Sequence, residues 1–343
     1  MHLEDIGWNG FFASQEYTGT PGRVASVSRE GFLVWTEAGE RPATIGSALR
    51  SSGSTWPAIG DWVALNQHAP VIEHVFARRT VLSRRRPGAA VEEQVLAANV
   101  DVLFLVSGLD NDYNERRIER YLVVARQCGA RPVILLNKAD VAASNNIDLP
   151  AAVHRLRQWS GGADVLPVSA HSGEGLEHLA SRLAGGETAA LIGSSGVGKS
   201  TIVNRLLGSQ LQATGEVRAG DNRGRHTTTT RSLFSMPGGW MLIDMPGLRE
   251  VQLWASSDRL DAGFDEIQQL AAACRFRNCS HTTEPGCAVL ASAPDPHRLA
   301  NFRKMKAELE FLDRKAGKQL MSETKARWKV IHKDMRHFER GKG

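Results

Sequence analysis

Apolar positions change their spacing along the chain, and each change predicts a different kind of element. Between about residues 22 and 82, β-branched and aromatic residues alternate with polar ones in the short runs 22–27, 31–36, 43–45, 61–65 and 71–75. Gly, Pro and Ser separate these runs, so each reads as a strand. Five short strands without a convincing helix predict a small barrel, and the OB-fold is the commonest barrel of this size. From residue 100 the pattern switches. Residues 100–106 (VDVLFLV) form a nearly continuous apolar run, as in a parallel strand buried on both faces. Residues 115–128 then place Ile118, Leu122 and Ala125 at i, i+4 and i+7, which predicts an amphipathic helix. Buried-strand patterns recur at 132–136, 164–168, 188–192 and 240–243, and residues 201–207 read as a helix. Strands alternating with helices predict an α/β domain beginning near residue 90. Pro87-Gly88 marks a boundary before it.

Chemistry enters at the end of the strand pattern 188–192. Gly193-Ser194-Ser195-Gly196-Val197-Gly198-Lys199-Ser200 fits the phosphate-loop spacing G-x-x-x-x-G-K-[ST] at every fixed position. Glycines let the backbone turn its N–H groups inward on a triphosphate. Lys199 reaches the β- and γ-phosphates, Ser200 ligates Mg²⁺, and the helix from Thr201 turns its dipole to the anion. The base is addressed upstream, where the strand pattern 132–136 delivers Asn137-Lys138-Ala139-Asp140. A carboxylate at Asp140 accepts from both N1–H and N2–H₂ of guanine. Adenine would leave it unpaired, at about 1–3 kcal/mol. Asn137 would hydrogen-bond the base and its loop, and the Lys138 stem would cover the purine face.

Three further segments resemble GTPase motifs. Ser169-Ala170, after the strand pattern 164–168, resembles the loop whose backbone N–H meets guanine O6. Thr227–Thr230 resembles switch I, with Thr229 or Thr230 completing the Mg²⁺ shell and sensing the γ-phosphate. Asp244-Met245-Pro246-Gly247 resembles switch II, with Asp244 holding Mg²⁺ through water and the Gly247 N–H at the γ-phosphate. All five motifs are present, but the guanine-reading pair precedes the phosphate loop and the switches. That order predicts a circular permutation, which close-lying termini permit. A further cluster, Cys274-x4-Cys279-x-His281-x5-Cys287, offers three thiolates and an imidazole, the donor set of a structural tetrahedral Zn²⁺ site; buried free cysteines or a disulfide are the alternative.

With a barrel before and a cysteine cluster after, the chain closely resembles the circularly permuted, ribosome small-subunit-dependent GTPases, the ribosome biogenesis GTPase A type. The resemblance implies a multi-domain protein: an OB-like barrel with an N-terminal extension over 1–84, a P-loop GTPase domain over 85–253, and a zinc-binding module with a basic helical tail over 254–343. It implies a GTP hydrolase that assists late maturation of the 30S subunit, binds 16S rRNA in its GTP state, is stimulated by 30S and leaves on hydrolysis. A translation-associated GTPase, or an RNA-binding module with nucleotide as a passive switch, are the other readings. One departure stands out. Leu248 follows the switch II motif where some GTPases carry a water-orienting Gln nearby, and His226 is the nearest candidate for that role.

Charge and composition sharpen the partners. Residues 301–343 hold 13 Lys/Arg against 6 Asp/Glu, a net +7 on a chain of net +5. A basic tail on a near-neutral body is the footprint of a polyanion, or else a solvated basic helix. It reads as helical, with a break at Gly317 and an extension that orders on its target. The barrel's role stays open between oligonucleotide binding and packing. Arg78-Arg79 and Arg84-Arg85-Arg86 at its exit are either phosphate contacts or a solvated linker. Residues 1–12 lack a secretory pattern and no apolar run is long enough to span a bilayer, so a cytoplasmic monomer without membrane contact is expected. Few cysteines, three of them clustered, fit a reducing compartment, and Cys128 reads as core.

Overall fold

The computed structural model describes residues 1–51, 55–85, 93–214, 231–245, 260, 263–292 and 295–315. They fall into two compact units, one drawn from Met1–Ser83 with Val95–Gln252, the other from Arg84–Gln94 with Leu253–Gly343.

In the first unit, β1 (Thr20–Val27), β2 (Phe32–Thr36), β3 (Gly39–Ile45), β4 (Trp62–Leu65) and β5 (Val71–Val75) are the five expected strands. They pair in the order β1-β2-β3-β5-β4, and β1 also pairs with β4, which closes a five-stranded barrel of OB type. Only β3 and β5 run parallel, with Thr44 opposite Val71. Val24, Val34, Ala43, Val63, Leu65 and Ile72 fill the interior. Two short helices were not foreseen, because four or five residues carry too little periodicity to register. In α1 (Gly10–Ala13), the Asn9 side chain accepts from the Phe11 N–H at 3.0 Å. In α2 (Ser47–Ser51), Leu49 packs on the barrel core. The first residues belong to the barrel as well: Trp8 lies 4.8 Å from Trp62 and 5.3 Å from Phe76 between ring centroids. That aromatic cluster ties the N-terminal segment down.

A two-stranded ribbon, β6 (Val81–Arg85) and β7 (Glu93–Ala98), follows. Arg84 and Arg85 therefore lie in a strand, which bears against the linker reading and leaves that of phosphate contacts open; Pro87-Gly88 falls outside the described residues. Next come β8 (Val102–Gly108), α3 (Glu115–Cys128), β9 (Arg131–Asn137), α4 (Leu149–Trp159), β10 (Asp164–Pro167), α5 (Glu177–Ala180), β11 (Thr188–Gly193), α6 (Lys199–Thr214), β12 (Arg231–Ser235) and β13 (Met241–Asp244). Ile118, Leu122 and Ala125 on α3 are all buried, as their spacing requires. Cys128 is buried at the end of that helix, and Gly129 closes it at φ +84.

The sheet runs β10-β9-β8-β11-β13-β12. From β10 to β13 neighbours are parallel, and β12 pairs antiparallel with β13. Strand β11 thus follows β10 in the chain yet inserts between β8 and β13. Such a reversal of strand order opens a crevice at the carboxyl ends of the strands, where phosphate ligands bind. Strand β12 was not expected from the sequence. Of its five residues only Leu233 is buried, and its order comes from partners on both sides. Those partners are β13 and barrel strand β1, with Val27 opposite Arg231 and Ser26 opposite Ser232.

The second unit has α7 (Asp265–Ala271), α8 (Ala288–Ala291) and a helix over residues 296–315. Phe264, Ile267, Val289, Phe302, Met305 and Leu309 are buried in it. Arg298 donates to the Gly263 carbonyl at 3.0 Å, pairs with Glu266 and lies 4.7 Å over the Phe264 ring. The tail from 316 lies outside the described residues.

Candidate nucleotide site and metal centre

The phosphate-loop residues connect the end of β11 to the start of α6, the strand-to-helix context that the spacing demands. Gly196 and Gly198 have φ +81 and +97, in the left-handed region. At Gly198 the choice is forced twice, because a Cβ there would lie 2.2 Å from the Asn137 side-chain nitrogen. Gly193 has no room for a side chain either, with the Val106 carbonyl 2.4 Å from where a Cβ would sit. The Lys199 ammonium folds back onto the Gly193 and Ser194 carbonyls at 2.6 Å each. Burial pushes its pKa down to about 8. Val197 is buried beneath the loop, while Ser195, Ser200 and Thr201 are exposed and Ser194 is partly buried.

Asn137 is the residue that joins the motifs. It ends β9, the neighbour of β8, and is buried. Its side-chain nitrogen donates to the Val197 carbonyl at 2.7 Å, and its side-chain oxygen accepts from the Ala170 N–H at 2.9 Å. One amide therefore ties the phosphate loop to the Ser169-Ala170 loop. The Ala139 N–H donates to the Val168 carbonyl at 3.1 Å, which adds a second tie. Ser169 is fully buried, its Oγ accepting from Ser172 N–H at 3.2 Å and its carbonyl from Gly173 N–H at 2.8 Å. Lys138 takes φ +65 to turn the chain away from the strand, and Asp140 follows in a short turn, exposed to solvent. Across the crevice, Asp244 is the last residue of β13, and burial raises its pKa. His226, Thr227, Thr228, Thr229, Thr230 and Gly247 lie outside the described residues.

The loop after β8 contributes groups that motif reading passed over. Asp110 forms an ion pair with the Lys138 ammonium. Asp112 accepts from Ser194 Oγ at 2.8 Å and pairs with Arg117, which donates to Ser194 Oγ at 2.6 Å. The hydrogen bond from Lys138 lowers the Asp110 pKa, and those from Arg117 and Ser194 lower that of Asp112. Their position was the available signal: both follow a buried parallel strand next to β11, at its carboxyl end.

In the second unit, the ligand atoms of Cys274, Cys279, His281 and Cys287 all lie within 4.8 Å of one another. Cys274 and Cys287 Sγ are 3.9 Å apart, and His281 Nδ1 lies 3.7 Å from the first and 3.5 Å from the second. Zn–S bonds of about 2.3 Å and a Zn–N bond of about 2.0 Å predict tetrahedral edges of about 3.8 Å and 3.5 Å. The cluster fits a structural zinc site, with His281 Nδ1 as the nitrogen ligand, and no described cysteine is in a disulfide. Glu284 shapes the loop, accepting from the N–H groups of Ser280, Thr282 and Thr283 at 2.7, 2.9 and 3.1 Å. The Ser280 hydroxyl also donates to it, and that bond first, with the backbone ones, holds its carboxyl well below the usual range. The Leu290 N–H donates to Cys287 Sγ at 3.4 Å and helps to fix that side chain in place.

A family profile described as RsgA GTPase matches residues 75–254. A small ribosomal subunit biogenesis GTPase RsgA of Opitutus terrae is 43% identical over 368 residues, which span 100% of this chain and 99% of that protein. The chain belongs to the RsgA GTPase family. A protein of the same name from Methanosarcina acetivorans is 39% identical over 350 residues, covering 98% of this chain and 93% of its own. Among solved structures, YjeQ from Thermotoga maritima superposes with a TM-score of 0.64 at 26% identity, covering 84% of this chain and 98% of its own. YloQ, described as a circularly permuted GTPase, has a TM-score of 0.62 at 19% identity, covers 87% of this chain and 97% of its own, and shares the fold. The permuted order expected from the motifs is thus matched by the fold shared with YloQ. Mg²⁺ alongside GTP is typical of such enzymes.

Proposed function

We propose that this RsgA-family protein hydrolyses GTP as an assembly factor of the small ribosomal subunit. The observation that carries the reading is the Asn137 amide, which links the Asn-Lys-x-Asp segment, the Ser169-Ala170 loop and the phosphate loop despite their permuted order. In this reading Asp140 accepts from the guanine edge, Lys138 covers the purine and the Ala170 region meets O6. The N–H groups of Gly193 to Thr201 and the Lys199 ammonium hold the phosphates. Ser200 and a threonine, Thr229 or Thr230, hold Mg²⁺ directly and Asp244 holds it through water, while Gly247 senses the γ-phosphate. His226 positions the attacking water. Bound Mg²⁺ supplies charge neutralisation at the phosphates; the chain's own residues supply orientation.

The barrel, over 1–84, and the zinc module with its tail, over 254–343, flank the GTPase domain, 85–253, and dock on 30S as a monomer in the cytoplasm. Contacts are with 16S rRNA, through the basic tail in particular, so affinity falls steeply as salt rises. GTP binding favours attachment and hydrolysis favours release as the GDP form. The test is GTP turnover with and without purified small subunits. Stimulation of about tenfold or more is expected. Unstimulated, negligible turnover together with tight subunit binding would replace the enzyme reading with that of a passive nucleotide switch. Retained stimulation in His226→Ala would remove that residue from the mechanism.

A further inference from the structure

We propose that Asp110 is a positioning residue of the base site, holding the Lys138 side chain where its stem covers the purine. The inference rests on the reading of Asn137–Asp140 as the guanine-binding segment. Asp110 stands in the loop after β8, whose Gly108 is opposite Asn137 in the parallel register, and the Leu109 N–H donates to the Asn137 carbonyl at 2.8 Å. The two loops therefore leave the sheet side by side. Asp110 is itself fixed: its Oδ1 accepts from the Asp112 N–H at 3.1 Å, and its carbonyl accepts from the Tyr113 N–H at 2.9 Å. Gly108 leaves space for the carboxylate, since a Cβ there would meet Asp110 Oδ1 at 3.0 Å. Its Oδ2 then takes the Lys138 ammonium.

A lysine stem has four rotatable bonds, and ordering it on a flat ring costs side-chain entropy at the moment of binding. Asp110 pays that cost in advance. The same loop carries Asp112, which holds Ser194 of the phosphate loop, so one segment braces both ends of the nucleotide site.

Dissociation constants for GDP and a non-hydrolysable GTP analogue, measured on the full chain, test this. Asp110→Ala is expected to weaken both by the same factor, about three- to tenfold, because the base is common to both ligands. Asp110→Glu should recover most of the loss. In a Lys138→Ala background, Asp110→Ala should add less than about twofold, since its partner is gone. Asp110→Asn keeps the size of the side chain and reports the charge if the alanine variant folds poorly. Additive losses from Asp110→Ala and Lys138→Ala, or wild-type affinity in both Asp110→Ala and Asp110→Asn, would overturn the proposal. Equal affinity of the unsubstituted protein for ADP and GDP would instead overturn the guanine reading on which it rests.

Discussion

Asn137 and Gly198 are a matched pair: the amide reaches the Val197 carbonyl only because residue 198 has no side chain in its path. Gly198→Ala would force a Cβ to within 2.2 Å of that amide and hold an L-residue at φ +97. The amide cannot yield without losing Ala170, so the variant should lose GTP and GDP affinity by about tenfold or more. Equilibrium dialysis with either nucleotide checks this. Lys199 sets the pH response. Its pKa of about 8 lies below the ordinary 10.5 because burial penalises the charge, and an approaching polyphosphate favours the charged form. Nucleotide affinity should therefore be flat below pH 8 and fall as pH rises through it, with proton uptake on binding at pH 8.5, measurable by calorimetry in buffers of different ionisation enthalpy. For folding the sign is opposite. Between about pH 8 and 10.5 the unfolded chain binds more protons at this lysine, so its contribution to stability improves with rising pH. Motif spacing made Asn137, Lys199 and the loop glycines legible in the sequence. Asp110 and Asp112 were not, because their bonds to Lys138 and Ser194 join loops far apart in the chain and leave no motif spacing, only a place at the carboxyl end of a buried strand.

At the scale of elements, the cysteine-histidine loop shows how little regular structure a site needs. His281 sits at φ +55 and Gly286 at φ +75, and the Arg275 N–H bonds to the Gly286 carbonyl at 3.1 Å, so the loop closes on itself around the four ligands. Behind it the His281 ring lies 6.3 Å from that of Phe302, a core residue of the helix over 296–315. The metal and the small core therefore support each other, and a unit of this size has little else to hold it. Cys279→Ser should release the zinc, counted as one metal per chain in the unsubstituted protein by atomic absorption. It should also remove the thermal transition of the second unit while GDP binding persists. Ligand spacing made this loop readable. Strand β12 was unreadable for the opposite reason: Arg231-Ser-Leu-Phe-Ser has neither alternation nor an apolar run, and what makes it a strand is a partner on each side.

Across the whole molecule, that strand turns a barrel and a GTPase sheet into one continuous surface of eleven strands. Ser26 of the barrel, Ser232 of β12 and Asp244 of β13 lie side by side in register, and Arg231, the residue after Thr230, is opposite Val27. A second junction is buried. Arg23 on β1 is fully enclosed and donates to the carbonyls of Ile6, Gly60 and Asn99 and, at 2.7 Å, to Thr188 Oγ1. Thr188 begins β11, the strand that ends in the phosphate loop, and its N–H donates to Asp101 at 2.9 Å. Burial lowers the Arg23 pKa to about 10, with Asp101 and Asp61 opposing the shift, so the guanidinium stays charged at neutral pH. Removing it would strand several buried acceptors at once. Arg23→Leu should therefore destabilise the first unit by about 3 kcal/mol. Because the arginine binds both parts, barrel and GTPase sheet should unfold in urea as a single transition, and saturating GDP should move that transition as a whole. A barrel that melts separately, unmoved by GDP, would show that the junction does not couple the two parts.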